Sequence, residues 1–384
     1  MPKVLVGMSG GVDSSVTAYL LKKEGYEVEG VSFILWESSS ADFSTCCSMD
    51  AVEEASFVAD YIGIPHRTID VRDVFIEKVI EPFIHSYAKG RTPNPCILCN
   101  RFIKIPFLLR EADKNSAEYI ATGHYARVEK EQTGGCRQME LKKGFDSGKD
   151  QSYFLYILKQ NQLQRMVLPL GWHTKEGIRK IAVELDMPVK KTESQEICFV
   201  EDTNYFKFIQ KLSPLAGKPG PVFDVNGNTI GIHKGIHRYT IGQRKGLGIS
   251  SKAPLYVHRI DPVRNAVYLG SEEDAKKQDI YVTGLNWIVV RPEENFRAGV
   301  KVRSMMKDAP AVVSRVKGDE LLVMRECLDA KIYQPPETPC LSHDIYRVVF
   351  DKPQWAPAPG QSAVFYEGDR VLGGGVIFEP EIKK

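Results

Sequence analysis

The chain has 384 residues, 43% of them hydrophobic, 26% charged and 10% aromatic, with a formal net charge of +2. That length exceeds what a single core serves well, so two or three domains are expected. No apolar run reaches the ~18 residues of a membrane span, and a near-balanced charge leaves any nucleic-acid contact to local basic patches.

Met1-Pro2-Lys3-Val4-Leu5-Val6-Gly7 enters an apparent strand at once, without the longer apolar stretch and small-residue cleavage site of a secretory signal. A cytosolic protein with no membrane partner is therefore expected. A strand over Lys3–Gly7 is followed by a helical pattern over Ser14–Lys23, a strand over Glu27–Trp36 and a helix over Met49–Ile62. His66–Val71 and Val74–Tyr87 repeat the unit, then Arg101–Asp113 reads as a helix and Tyr119–Thr122 as a short strand. This alternation predicts a parallel sheet covered by helices, an α/β nucleotide-binding architecture.

Past about Gln210 no helix-periodic run remains. Gly and Pro become frequent between Leu212 and Gly248, and Asp224-Val225-Asn226-Gly227-Asn228 is a strong tight-turn signal. From about Tyr281 onward short β-rich runs alternate with turns, at Ala311–Val316, Leu321–Arg325, Asp344–Phe350, Ala363–Glu367 and Val371–Phe378. Such spacing points to an antiparallel barrel or sandwich. The division expected is an α/β catalytic domain over 1–210, a small turn-rich central module over 211–278 and a C-terminal antiparallel β-barrel over 279–384.

The strongest local signal lies between the first strand and the first helix: Gly7-Met8-Ser9-Gly10-Gly11-Val12-Asp13-Ser14-Ser15. Glycines let backbone amides turn toward an anion, the helix adds its unpaired N–H groups and positive end, and the serine hydroxyls add donors. A plain strand-to-helix turn, capped by Asp13 or Ser14, is the bland alternative. The full Ser-Gly-Gly-x-Asp-Ser string favours phosphate binding. It lacks the Gly-Lys-Ser/Thr of a Walker A loop and the Gly-x-Gly-x-x-Gly of a dinucleotide fold.

The eight cysteines are Cys46, Cys47, Cys96, Cys99, Cys136, Cys198, Cys327 and Cys340. In a reducing cytosol, clustered cysteines suggest metal or redox chemistry rather than disulfides. Thr92-Pro93-Asn94-Pro95-Cys96-Ile97-Leu98-Cys99-Asn100 places a Cys-x-x-Cys pair on a proline-stiffened loop. A helix beginning near Asn100 would lower a thiol pKa there through its N-terminal field. Three other readings stand beside this one: half a structural zinc site, a redox pair, or, for Cys198 between Ile197 and Phe199, simple burial. The remaining five cysteines read as structural or incidental.

These motifs, together with Ala121-Thr122-Gly123-His124-Tyr125-Ala126, Lys149-Asp150-Gln151-Ser152-Tyr153-Phe154-Leu155, Ile197-Cys198-Phe199, Tyr239-Thr240-Ile241-Gly242-Gln243-Arg244-Lys245-Gly246-Leu247-Gly248 and Pro359-Gly360-Gln361-Ser362-Ala363-Val364, resemble the tRNA-specific 2-thiouridylase family of the ATP pyrophosphatase (PP-loop) superfamily. The resemblance runs in order along nearly the whole chain. It implies a sulfurtransferase that uses ATP with Mg²⁺ to adenylate the C2 carbonyl oxygen of a wobble uridine in the tRNA anticodon, then replaces that oxygen with sulfur, leaving 2-thiouridine, AMP and diphosphate.

Residue by residue, the resemblance implies ATP binding by Gly7, Met8, Ser9, Gly10, Gly11, Val12, Asp13 and Ser14, with Phe33 and Gly123 lining the pocket. Cys99 stands at the family's nucleophile position and Cys198 at its persulfide position. Asn94, Pro95 and Cys96 would approach the target base, while His124, Lys149, Asp150, Gln151, Arg303 and Gln361 would contact tRNA. Each of these polar groups, taken singly, reads equally as a solvated surface side chain.

Many family members carry Asp where this chain has Cys96. Three thiolates, Cys96, Cys99 and Cys198, would suit a [4Fe-4S] cluster with one iron open to sulfide. A metal-free route in which Cys99 attacks a persulfide on Cys198 is the alternative, and the sequence does not choose between them. The expected partners are the anticodon region of tRNA, its target base turned out of the loop, and a sulfur-donor protein or persulfide carrier; a monomer is the expected state. Lys218, His233, Lys234, His237, Arg238, Arg244 and Lys245 gather cations around Tyr239 in the central module and offer a track for an RNA backbone, or a solvated face. Two other functions compete: another AMP-forming ligase of the superfamily, which needs no cysteine set, and a zinc-stabilised RNA-binding module, which leaves the phosphate loop unexplained.

Overall fold

The computed structural model describes residues 1–36, 49–131, 138–189, 197–200, 205–212, 217–292, 295–317 and 344–380. The N-terminal half opens with β1 (Lys3–Gly7), α1 (Val12–Lys23), β2 (Glu27–Ile34), α2 (Met49–Ile62) and β3 (His66–Asp70). A continuous helical run follows, made of α3 (Arg72–Phe75), a π turn at Ile76–Ile80 and α4 (Glu81–Ala88). A second run joins α5 (Pro95–Cys99), a π turn at Asn100–Lys104 and α6 (Ile105–Lys114). Beyond β4 (Tyr119–Ala121) come the hairpin β5 (Ala126–Lys130) and β6 (Met139–Lys143), α7 (Gln160–Leu163), β7 (Met166–Val167), α8 (Lys175–Glu184) and α9 (Tyr205–Leu212).

Strands β1, β2, β3, β4 and β7 form one parallel sheet in the order β3-β2-β1-β4-β7. Val4, Leu5 and Val6 are all fully buried, which is why the central strand reads as an unbroken apolar run and not an alternation. Strand order reverses direction between β1 and β4. In open α/β sheets the crevice outside the carboxyl ends at such a switch point is where ligands bind.

Three predicted helices start earlier than the sequence reading places them, the Val74–Tyr87 helix by two residues, at Arg72. Helix α1 begins at Val12 because Gly11 occupies the N-cap, and no side chain caps it; neither Asp13 nor Ser14 is the cap. The expected Arg101–Asp113 helix belongs to a run that starts at Pro95. Asn94 is its N-cap, with Oδ1 accepting from Ile97 N at 3.3 Å, and Pro95 supplies the pre-set φ of a first helical residue. The Cys-x-x-Cys pair therefore lies on a helix, not on the loop before one.

The central module is a four-stranded sheet of β8 (Gly220–Phe223), β9 (Thr229–His233), β10 (Tyr256–Asp261) and β11 (Ala266–Gly270), ordered β10-β11-β8-β9. Its predicted turn is formed: Asp224 Oδ1 accepts from Asn226 N and Asn228 N at 2.9 and 2.8 Å, and Gly227 takes φ +84°. Strands β12 (Lys276–Trp287), β13 (Asn295–Lys301), β14 (Ala309–Arg315), β15 (Tyr346–Trp355), β16 (Ser362–Glu367) and β17 (Arg370–Phe378) follow. They run β12-β15-β14-β13-β16-β17, and β12 pairs back onto β17, which closes an antiparallel barrel. The strand expected over 321–325 lies outside the described residues.

The N-terminal half and the barrel are not separate bodies. The β5–β6 hairpin extends the barrel sheet through Arg370 opposite Lys142. Leu5, Leu108 and Ile120 from the N-terminal half share one hydrophobic cluster with Ile288, Val364, Tyr366 and Val371 from the barrel. Among the described residues no helix is long and apolar enough to cross a membrane.

Candidate active site

The loop after β1 and the loop after β4 meet at the switch point. Gly10 takes φ +72° and is buried, and a Cβ there would stand 2.9 Å from Ala51 O. A Cβ on Gly123 would stand 2.9 Å from Asp13 C and 3.0 Å from Ser14 N, so the β4 loop lies directly on the first turn of α1. Ser9 N donates to Ser14 Oγ at 3.1 Å, while Ser14 Oγ and Ser15 Oγ donate to Gly11 O at 3.1 and 2.9 Å. Those two buried hydroxyls shape the loop; Ser9 stands exposed at its rim. Met8 is buried, its carbonyl accepting from Ser32 Oγ at 2.9 Å.

Asp13 is held by two residues that the sequence reading does not single out. Lys175 Nζ lies 2.7 Å from both its carboxylate oxygens, and Tyr125 OH donates to Oδ1 at 2.7 Å. The Lys175 side chain is 8% exposed and that of Asp13 35%. Lys175 opens α8 behind the N-cap Thr174, and its own N–H donates to Asp146 Oδ2 at 2.9 Å. A buried cation thus sits beside the loop with its charge already balanced.

Cys96 is the second residue of α5 and exposed; Cys99 is its last residue and 5% exposed. The N-terminal end of the helix therefore lies at Cys96, with Cys99 a turn further in, and the thiol activation expected from a helix starting at Asn100 does not apply. Cys99 sits in a cluster with Leu35, Phe75, Phe83 and Phe199, against which Cys198 packs. Phe199 anchors the Cys198 segment there, its ring centroid 5.6 Å from Phe75 and 5.3 Å from Phe83. The fold thereby draws Cys99 and Cys198, far apart in sequence, into one neighbourhood. Phe33, at the carboxyl end of β2, packs against both this cluster and the core that Leu5 of β1 shares with the barrel. Cys46, Cys47, Cys136, Cys327 and Cys340 lie outside the described residues.

No group of three or more His, Cys, Asp or Glu among the described residues is placed to hold a metal ion. Of the three cysteines of the sequence reading, Cys96 is exposed, Cys198 half-buried and Cys99 buried in the aromatic-rich cluster.

His124 links the nucleotide loops to the cysteine helix. Its Nδ1 is 2.7 Å from Thr122 Oγ1 and its Nε2 is 3.5 Å from Asn100 Nδ2, the latter at the outer limit of a hydrogen bond. Asn100 Nδ2 is a donor only, so Nε2 accepts and the proton resides on Nδ1. Burial, aided by the nearby Lys104 charge, pushes the imidazole pKa down to about 3, so the ring is neutral.

The other expected RNA contacts divide. Lys149 is exposed. Gln151 is tied to Tyr125, its Oε1 accepting from Tyr125 N at 3.0 Å and its N–H donating to Tyr125 O at 2.8 Å. Asp150 is turned inward: its side chain is 3% exposed, it pairs with Lys301 Nζ at 3.0 Å, and it accepts from Gly144 N, Ser152 N and Ser152 Oγ. That saturated carboxylate joins the β6 loop to the barrel and faces no external partner.

Arg303 is likewise engaged, Nη2 donating to Ile241 O at 2.9 Å and Ala356 O at 2.7 Å. Burial holds its pKa below the usual guanidinium range. Gln361 Nε2 donates to Thr92 O and Pro93 O at 3.1 and 3.2 Å, on the approach to Asn94 and Pro95. In the central module Lys218, Lys234, Arg244 and Lys245 are exposed, but His233, His237 and Tyr239 are buried, so Tyr239 packs and is not a stacking platform. Of the residues not foreseen, Thr122, Asn100 and Tyr125 lie inside the quoted motifs; nothing in the sequence around Lys175 or Lys301 marks them.

A family model described as a tRNA methyl transferase HUP domain matches residues 2–202. Two more match residues 207–271, as a tRNA methyl transferase PRC-barrel domain, and 333–377, as an aminomethyltransferase beta-barrel domain. The chain is 45% identical over 98% of its length to tRNA-specific 2-thiouridylase MnmA 1 of Caldanaerobacter subterraneus, covering 97% of that protein. It is 43% identical to tRNA-specific 2-thiouridylase MnmA of Clostridioides difficile, covering 98% of each chain. The solved U34-tRNA thiolase NcsA from Methanococcus maripaludis with its [4Fe-4S] cluster aligns at a TM-score of 0.34 and 18% identity, over 56% of this chain and 68% of that one, a likeness too low to bear on function.

Proposed function

The chain belongs to the tRNA-specific 2-thiouridylase family, tRNA sulfurtransferases that draw on ATP, and we propose that it thiolates C2 of the wobble uridine in the anticodon. The observation that carries this reading is the link between an anion-binding loop and a two-cysteine cluster, made by Gly123 against the loop and by its neighbour His124 reaching Asn100 beside Cys99. Methyl transfer, the wording of the family models, has no use for a loop that holds ATP phosphates. Curated relatives matched over the full length are named for thiolation.

The loop from Gly7 to Ser14 holds the ATP phosphates, with Mg²⁺, and Phe33 and Gly123 wall the nucleotide. The target uridine leaves the anticodon loop, where unstacking costs little, and enters between the catalytic domain (1–210) and the central module (211–278). Its C2 oxygen attacks the α-phosphorus and diphosphate departs, which turns a poor leaving group into AMP. A sulfur donor loads Cys198 as a persulfide. The Cys99 thiolate then attacks the inner sulfur of that persulfide, forming the Cys99–Cys198 disulfide and releasing hydrosulfide. Hydrosulfide adds at C2, AMP leaves with the bonding pair, and an external thiol reductant resets the cysteines. Among the described residues no group of three His, Cys, Asp or Glu is placed to hold a metal ion, and no step is assigned to an iron–sulfur cluster. Asn94, Pro95 and Cys96 border the base, while Lys149 and the exposed lysines and arginine of the central module meet the RNA backbone. The protein works in the cytosol as a monomer, with the barrel (279–384) completing its frame.

Nucleoside mass spectrometry on unmodified tRNA incubated with metal-free protein, ATP, Mg²⁺, a persulfide donor and a thiol reductant tests the proposal. ATP-dependent gain of sulfur at the wobble uridine is expected. AMP release driven by a small amine in place of tRNA would overturn it in favour of a ligase.

A further inference from the structure

The segment Thr92-Pro93-Asn94-Pro95 leads directly into the helix that carries Cys96 and Cys99. Two of its four residues are prolines and have no N–H to give, so its backbone is anchored mainly through its carbonyls. Gln361 meets that need. The two hydrogens of its amide nitrogen serve Thr92 O at 3.1 Å and Pro93 O at 3.2 Å, and Thr92 N donates to Pro359 O at 2.8 Å.

Gln361 is itself fixed on both sides, its N–H donating to Ala358 O at 3.1 Å and its carbonyl accepting from Ile377 N at 2.8 Å. Gly360 takes φ +93°, and a Cβ there would stand 2.9 Å from Thr92 O. The same turn is held from the other end by Arg303, which donates to Ala356 O and to Ile241 O of the central module. A rigid barrel turn thus grips the cysteine loop.

We propose that Gln361 is a positioning residue for the cysteine helix, acting through the carbonyls of Thr92 and Pro93 and not through the RNA. Loss of its amide frees the Asn94 cap and lets the first turn of α5 drift, so Cys96 and Cys99 no longer stand where the reaction needs them. The catalytic consequence rests on the sulfurtransferase reading; the positioning of the helix does not.

The test uses full-length Q361A and Q361E in three measurements: iodoacetamide labelling of Cys99 without tRNA, tRNA affinity, and single-turnover thiolation. Labelling should accelerate at least about fivefold, the factor expected per net hydrogen bond lost, with two lost here. Thiolation should fall by a similar factor with tRNA affinity unchanged. G360A, which pushes on Thr92 with the Gln361 amide intact, should also raise labelling. Unchanged labelling in all three variants overturns the proposal, and a loss of tRNA affinity alongside it identifies Gln361 as an RNA contact. The labelling comparison decides the positioning role by itself, and thiolation by the unaltered protein separately decides the sulfurtransferase reading.

Discussion

The ammonium of Lys175 spans both carboxylate oxygens of Asp13 at 2.7 Å, joining the first turn of α8 to the first turn of α1. K175M leaves the Asp13 carboxylate with only Tyr125 and partial solvent, at a cost of about 2 kcal/mol. A raised KM for ATP is expected together with the lowered melting temperature. Adding D13N to K175M should recover stability without recovering ATP use. If K175M melts with the wild type and keeps its KM, the pair is dispensable.

Gly123 admits no side chain, because a Cβ there meets the Asp13 and Ser14 backbone at 2.9 and 3.0 Å. G123A should displace the phosphate loop and slow AMP formation by about 100-fold, the penalty of a misplacement of roughly 1 Å. Steady-state AMP release at saturating tRNA measures it. Full activity would show that the β4 loop yields.

The Asp150–Lys301 pair is enclosed, with side chains 3% and 8% exposed. D150A strands a buried ammonium and should destabilise the protein by about 3 kcal/mol, read as a fall in urea midpoint, whereas an RNA-contacting aspartate would alter only tRNA affinity. The double change D150N with K301M removes both charges, keeps an acceptor for Gly144 N and Ser152 N, and should restore much of the stability.

Four partly or fully enclosed imidazoles set a pH dependence. His66, His124, His233 and His258 are all held below the ordinary histidine value chiefly by burial, His124 down to about 3. Below a pH of about 6.5 the unfolded chain binds protons that these groups refuse in the folded state, so stability is complete above that pH and declines as pH falls toward 3. Each such group contributes up to about 1.4 kcal/mol per pH unit. Urea midpoints at pH 7.5 and pH 5 should differ, and H124Q should narrow the gap; an unchanged gap would mean His124 titrates normally.

C99S should stop the reaction after adenylation and leave the extra sulfur on the peptide carrying Cys198, whereas C198A should never load it. Peptide mass spectrometry after one turnover distinguishes them. In the unaltered protein the same experiment should yield a Cys99–Cys198 disulfide. Loading of C99S with no stalled persulfide would reassign the nucleophile.

What was legible in the sequence was what short-range chemistry determines. The Ser9 to Ser14 string, the strand and helix alternation around it and the Asp224 to Asn228 turn depend on residues adjacent in the chain, and the structure forms those elements. The start of α5 was legible too, in Asn94 and Pro95, but the prolines read more readily as a stiff loop. Pairings such as Asp13 with Lys175, Asp150 with Lys301 and Gln361 with Thr92 were not, because a lone polar residue carries no mark of a partner more than a hundred positions away. A resemblance that assigns Asp150 and Gln361 to RNA does not show that the fold has already engaged their polar groups.

The core of the N-terminal half includes Ile288, Val364, Tyr366 and Val371, side chains supplied by the barrel. Inheritance of the two parts is thereby linked. A chain cut short of the barrel is not a minimal enzyme but an unfinished core, with Leu5, Leu108 and Ile120 opened to water. Exchange of barrels between distant relatives should fail unless the facing residues travel with them, so such a protein changes by coordinated drift across its whole length and not by shuffling of parts.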